Sequence, residues 1–280
     1  MCIRDSGTPG REGCEPESWI HIDATAPIGV DTGEAAKQLD EDLHSCLDQV
    51  VRATDDWAAM QEAMLRTAEV VSASQGRADD RDSTRELLEW LADDHFMYLS
   101  YEEFRVDGDT MTPVPGTRLG ITDDGPRFDA VPHSEDQSTI VVTKDSVRST
   151  VQRNGYRDYV GVRIRDEHGT VVAEHRFIGL LGSAAYTESV THIPVLRAKA
   201  SRMLALSGYR ANSHGGKAVI RTIAEFPRDA LFEASAEELV PLIMTIVDLR
   251  EKQRLRALVR RGPWGRFFHC LLYTSDAADE

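Results

Sequence analysis

Apolar residues recur at two periods along the chain, and the switches between them predict its elements. Leu39, Leu43, Leu47 and Val50, with Val51 beside them, are spaced by four and three residues, as on one face of a helix. Asp55 and Asp56 are N-cap candidates for a second helix that turns Trp57, Met60, Met64, Ala68 and Val71 inward. The polar stretch 72–82 reads as a linker. Ser83-x-x-Glu86 reads as a capping box ahead of Leu87, Leu88 and Leu91, in a short helix ending near Asp94.

From His95 the period drops to two. Phe96, Tyr98 and Ser100 fall on one face of a predicted strand, with Met97, Leu99 and Tyr101 on the other. Asp107-Gly108 is a turn signal that folds 110–114 back on that strand. A loop rich in Pro, Gly and Asp runs to Gln137, and 139–144 reads as a buried strand. The clearest hairpin joins 158–166 to 170–181 through Glu167-His168-Gly169. Its second arm sets Val171, Ala173, His175 and Phe177 on one face and Val172, Glu174, Arg176 and Ile178 on the other.

After Pro194 the helical period returns through Val195, Leu196, Ala198, Met203 and Leu206, with Gly208 as a stop. Val219, Ile220, Ile223 and Ala224 mark another helix, ended by Pro227. Ser235-x-x-Glu238 opens a long one carrying Leu239, Leu242, Ile243, Ile246 and Leu249. Segments 18–24 and 256–261 read as short strands, the latter broken by Gly262-Pro263. The predicted class is α+β: a helix pair, a sheet-centred domain, more helices and the edge of a further domain.

Of the 280 residues, 41% are hydrophobic and 28% charged, enough to build a core. The formal net charge of −15 argues against nucleic acid and against an anionic membrane surface as partners. No apolar run is long enough to span a bilayer, and no signal peptide pattern is read at the start, so the expected compartment is the cytoplasm. Cys2, Cys14, Cys46 and Cys270 form neither a Cys-x-x-Cys pair nor a zinc spacing with histidine.

Candidate chemistry is sparse. No dinucleotide loop, Walker motif, nucleophile elbow or zinc-helix motif is found. SHGGK (213–217) is the nearest thing to a phosphate cradle, but reads better as a helix start with Ser213 as cap. Arg250, Lys252, Arg254, Arg256, Arg260 and Arg261 make a basic run, read as the solvated end of a long helix. Glu174 and His175 are neighbours on a strand and face opposite ways, so they cannot act as one acid–base pair; the histidine reads as structural or exposed. Arg148 and Arg153 flank Ser149 and Thr150 and could grip a carboxylate, with surface ion pairing the commoner role. No catalytic, cofactor-binding or metal residue is assigned.

The two ends share one feature. A codon choice for MCIRD plus the next two bases has a reverse complement that reads Cys-Leu-Leu-Tyr-Thr in another frame, and Cys270–Thr274 is that string. The ends therefore resemble an inverted sequencing-library adapter translated at both edges. Met1–Ser6 and Cys270–Glu280 are expected to stand outside the fold, with 1–17 a disordered start and the native protein longer.

Ten strings in order carry a family resemblance: SWIHID (18–23), DDWAAM (55–60), LLEWLADDHFMYLSYEEF (87–104), TKDSVRSTVQR (143–153), YRDYVGV (156–162), EHRFIGLLGSAAYTES (174–189), IPVLRAK (193–199), SHGGKAV (213–219), EFPRDALF (225–232) and RRGPWGRF (260–267). Together they resemble the N-terminal region of large bacterial NAD-specific glutamate dehydrogenases. Gln152, Ser100, Gly215, Gly262 and Trp264 depart from the family's pattern. The resemblance implies the end of a first ACT-like module plus a helical linker over 18–82 and a PAS-like antiparallel sheet domain flanked by helices over 83–207. A helical connector over 208–255 and the start of a second ACT-like module over 256–269 would follow. It further implies a regulatory or assembly segment without catalytic residues, in a homo-oligomer that uses NAD and takes an amino acid or other small effector. The alternative is a stand-alone PAS/ACT-like sensor, which the DNA beyond the two ends would decide.

Overall fold

The computed structural model describes residues 21, 25, 29, 31–108, 110–121, 138–152 and 155–250, and the backbone of 251, 256–261 and 267–272. The strand expected over 18–24 lies outside the described residues. The chain divides into two compact units, 1–48 and 49–280. Helix α1 (Thr32–Asp55) starts at Asp31, whose Oδ1 accepts from the backbone N–H of Gly33 at 2.8 Å and of Glu34 at 3.1 Å. Along it Leu39, Leu43 and Leu47 are 44%, 38% and 55% exposed.

In the second unit, α2 (Trp57–Ala73) buries Met60, Met64, Ala68 and Val71, as their spacing predicts. Asp56 occupies its N-cap position, but the carboxylate accepts from Gly120 N–H at 2.7 Å rather than from the helix. Helix α3 (Ala78–Trp90) starts inside the expected linker, so Ser83 lies within the helix and caps nothing. Asp79 and Asp80 hold its first turn, where the helix dipole favours carboxylates, and Asp80 also accepts from Thr139 N–H at 2.9 Å. A π-turn over Leu91–His95 ends the helical path with Asp94 at φ 58°.

The sheet comprises β1 (Phe96–Asp107), β2 (Thr110–Pro113), β3 (Leu119–Gly120), β4 (Ile140–Arg148), β5 (Tyr156–Arg165) and β6 (Val171–Leu181). Five strands run in the order β2-β1-β6-β5-β4, all antiparallel, in a curled half-barrel, with β3 attached to β1. The hairpin read from 158–181 is present. Val162 pairs with His175 and Val160 with Phe177, and Gly169 takes φ 80° in the turn.

One face assignment is corrected. A bulge between Tyr98 and Ser100 shifts the register of β1, so Tyr101 joins Phe96 and Tyr98 in the main core rather than Met97 and Leu99. That core also takes Met60, Met64, Leu87, Leu88 and Phe177. On the opposite face Leu99 and Leu180 meet Ile121, Val151 and Ala53 from the last turn of α1.

The remaining helices are α4 (Ser183–Thr187), α5 (Leu196–Leu206), α6 (His214–Glu225), α7 (Arg228–Glu233) and α8 (Ala236–Glu251). Val195, expected within α5, instead precedes it at φ 66°. Pro227 ends α6 as expected, while α7 has no counterpart in the sequence reading. Ser235 and Glu238 form a true capping box, Glu238 N–H to Ser235 Oγ at 3.2 Å and Ser235 N–H to Glu238 Oε2 at 2.8 Å. Strand β7 (Arg256–Arg261) pairs with β8 (Phe267–Leu272). Cys270–Leu272, expected outside the fold, therefore continue a strand. No helix among the described residues is long and apolar enough to cross a membrane.

Candidate functional site

Strand alternation puts His175 and Glu174 on opposite faces of β6, each in its own buried cluster. Nδ1 of His175 lies 2.8 Å from Tyr101 Oη, and the Tyr101 ring packs 4.7 Å from that of Phe177. Burial pushes the imidazole below its usual value; Glu103 opposes that, Arg66 on α2 adds to it, and Glu174 opposes it. Burial, with Glu103, raises the Tyr101 hydroxyl to about 12.

On the other face Glu174 is the hub. Its Oε1 accepts a very short hydrogen bond from Tyr159 Oη and one of 2.6 Å from Arg176 Nε, while Arg163 Nε lies 3.9 Å from Oε2. The Arg176 guanidinium lies 4.4 Å from the centre of the Phe104 ring and 5.7 Å from that of Tyr159. Gly161 makes room for this column, since a Cβ there would stand 2.7 Å from the Tyr159 ring. Burial also pushes the Tyr159 hydroxyl far above its usual value. Ions that neutralise one another inside a sheet fix strand positions; they offer solvent no reactive group.

A third cluster joins the sheet to α7. Lys144 Nζ on β4 reaches Asp158 Oδ1 at 2.5 Å and Asp229 Oδ1 of α7 at 3.2 Å, and Asp158 Oδ2 accepts from Leu181 N–H at 2.7 Å. Burial opposes the lysine's charge, but the two carboxylates outweigh it and hold Lys144 above its usual value. Burial raises Asp158 against the pull of that lysine. Thr143 donates to Glu233 at 3.2 Å. At the far end of α7, Lys199 Nζ donates to the carbonyls of Leu231, Phe232 and Ala234 at 2.7, 3.0 and 2.9 Å. It caps the helix C-terminus, and burial lowers its pKa to about 8. Arg228 ties Ala224, Phe226 and Glu188 carbonyls together in the same way.

Sequence reasoning did not single out Lys144, Asp158, Lys199 or Asp229, because no local spacing links partners this far apart. The residues it did single out are scattered. Ser213 caps α6 by accepting from Gly216 N–H at 3.0 Å. Gly215 and Gly216 are helical, and a Cβ on Gly216 would stand 2.0 Å from Arg210 O, so close packing explains that glycine. The basic run is not one helix end: α8 stops at Glu251, Arg250 pairs with Glu225, and 256–261 form β7. Arg148 lies over the Tyr156 ring at 4.7 Å, Ser149 donates to Val151 O at 2.6 Å, and Arg153 is outside the described residues.

A pocket of about 260 Å³ opens between α5, α6 and the segment before them, lined by Ser189, Val190, Thr191, Leu204, Ile220 and Ile223. Among the described residues no group of three His, Cys, Asp or Glu side chains could hold a metal ion.

Residues 193–252, which contain α5 to α8 with Lys199, Arg228 and Asp229, match the family model described as glutamate dehydrogenase, helical motif 1. The NAD-specific glutamate dehydrogenase of Pseudomonas aeruginosa is 36% identical over 210 residues, 70% of this chain and 13% of that protein. Its counterpart in Mycobacterium tuberculosis is 30% identical over 275 residues, 95% of this chain and 16% of that protein. That of Halomonas elongata is 28% identical over 258 residues, 85% and 16% of the respective lengths. The chain thus spans about one seventh of the length of the curated relatives it matches, 13–16%. It belongs to the family of the large NAD-specific glutamate dehydrogenases, as a segment of one that carries helical motif 1.

Proposed function

We propose that this segment regulates and helps assemble its parent enzyme, with the reaction carried out elsewhere in the polypeptide. The parent would convert L-glutamate, NAD and water to 2-oxoglutarate, ammonia and NADH, in the cytoplasm and as a homo-oligomer. The observation that carries this reading is the Asp158–Lys144–Asp229 cluster, which spends its buried charges on joining the sheet to helical motif 1. The antiparallel sheet with helices against one face supports a PAS-like module. An amino acid or similar small effector would bind at such modules.

The test compares the full-length enzyme with its Lys144→Met variant, read by glutamate-dependent NADH formation and by size-exclusion chromatography. The expected result is altered assembly or effector response with turnover per assembled enzyme retained, and no NAD reduction by the 280-residue chain alone. Turnover by the isolated chain, or loss of turnover in a normally assembled variant, would overturn the reading.

A further inference from the structure

Helix α1 carries a row of exposed leucines. Leu39, Leu43 and Leu47 repeat every four residues, and all three remain substantially exposed although their type and period are those of a buried helix face. Leucines scattered singly on a surface need no explanation, but three in one row over about two turns of one helix face suit a contact surface. The charges around it say what kind of contact. Helix α1 carries Glu34, Asp40, Glu41, Asp42, Asp48 and Asp55 against only Lys37 and Arg52. At 3.6 residues per turn, Asp40 and Asp42 fall on opposite flanks of Leu43.

We propose that Leu39, Leu43 and Leu47 form a docking ridge for a basic amphipathic helix, one whose own apolar stripe is flanked by lysine or arginine. Ridges built on a four-residue repeat interlock best with a partner of the same repeat, so the partner's apolar residues recur every fourth position. A second copy of this chain supplies that repeat but brings the same surplus of carboxylates, and like charges facing each other weaken the pairing. A basic helix meets both requirements.

The probe is a synthetic helical peptide with leucine at every fourth position and lysine on both flanks, set against the same peptide with glutamate in place of lysine. The lysine peptide is expected to bind the 280-residue chain, more tightly at low salt. Leu43→Glu should weaken that binding by at least about tenfold, as loss of a central apolar anchor does. Asp40→Lys with Asp42→Lys should turn the preference towards the glutamate peptide. Helix content by circular dichroism confirms that the variants fold. No binding by either peptide, equal binding by both, or unchanged binding in Leu43→Glu overturns the proposal. So does a dimer of the chain itself, seen in sedimentation, that Leu43→Glu abolishes.

Discussion

The hydroxyl of Tyr101 and Nδ1 of His175 meet at 2.8 Å across the seam between β1 and β6. Burial favours the neutral imidazole, so between the folded value and the usual 6.5 the unfolded chain binds more protons than the folded one. The stability that depends on neutral His175 is complete above 6.5 and is lost as pH falls through that window. The thermal midpoint of the chain should therefore drop more between roughly pH 7 and pH 5 than that of a His175→Gln variant. Parallel profiles for the two would refute this.

Phe177 is fully buried opposite Val160 and against Tyr101. Phe177→Ala should cost about 3–5 kcal/mol in urea unfolding, since the sheet cannot collapse into the space a ring leaves. A variant as stable as the parent chain would show that the two faces have been assigned the wrong way round.

Lys144→Met should cost about 3–5 kcal/mol, because it strands the buried Asp158 without its cation. Adding Asp158→Asn should recover part of the loss. A double-mutant cycle measures the coupling, and simple additivity of the two changes would mean that the pair contributes nothing.

Gly120 adopts φ 76°, and a Cβ there would stand 2.3 Å from Leu99 O. Gly120→Ala should destabilise the chain by at least about 1 kcal/mol through strain alone, with more from displacing the N–H that Asp56 accepts. Asp56→Asn, which keeps an acceptor at that position, should be much milder in the same calorimetric comparison.

What the sequence discloses here depends on distance along the chain. The β5–β6 hairpin is legible because its turn residues and its period are local. Two capping-box patterns look alike, yet only Ser235–Glu238 is used; α3 starts earlier than Ser83, where Asp80 can bond Thr139 on the sheet. The side on which Tyr101 falls depends on a bulge at Leu99 that no glycine announces. Lys144 and Lys199 carry no local mark, because a carboxylate from α7 and the carbonyls that end it become their partners only once the chain has folded.

Strand β1 lies between β2 and β6, and its long partner is the last strand of this sheet to be synthesised. A nascent chain that has left the ribosome only as far as β4 therefore holds Phe96, Tyr98 and Tyr101 with no strand to cover their β6 side. The β5–β6 hairpin can close as soon as it emerges, but β1 must wait for it across a separation of 74 residues between Tyr101 and His175. The order of synthesis thus makes β6 the step that completes the sheet, before α5 to α8 add to its core. A ribosome stalled before residue 171 would present an apolar strand edge of the sort that chaperones bind.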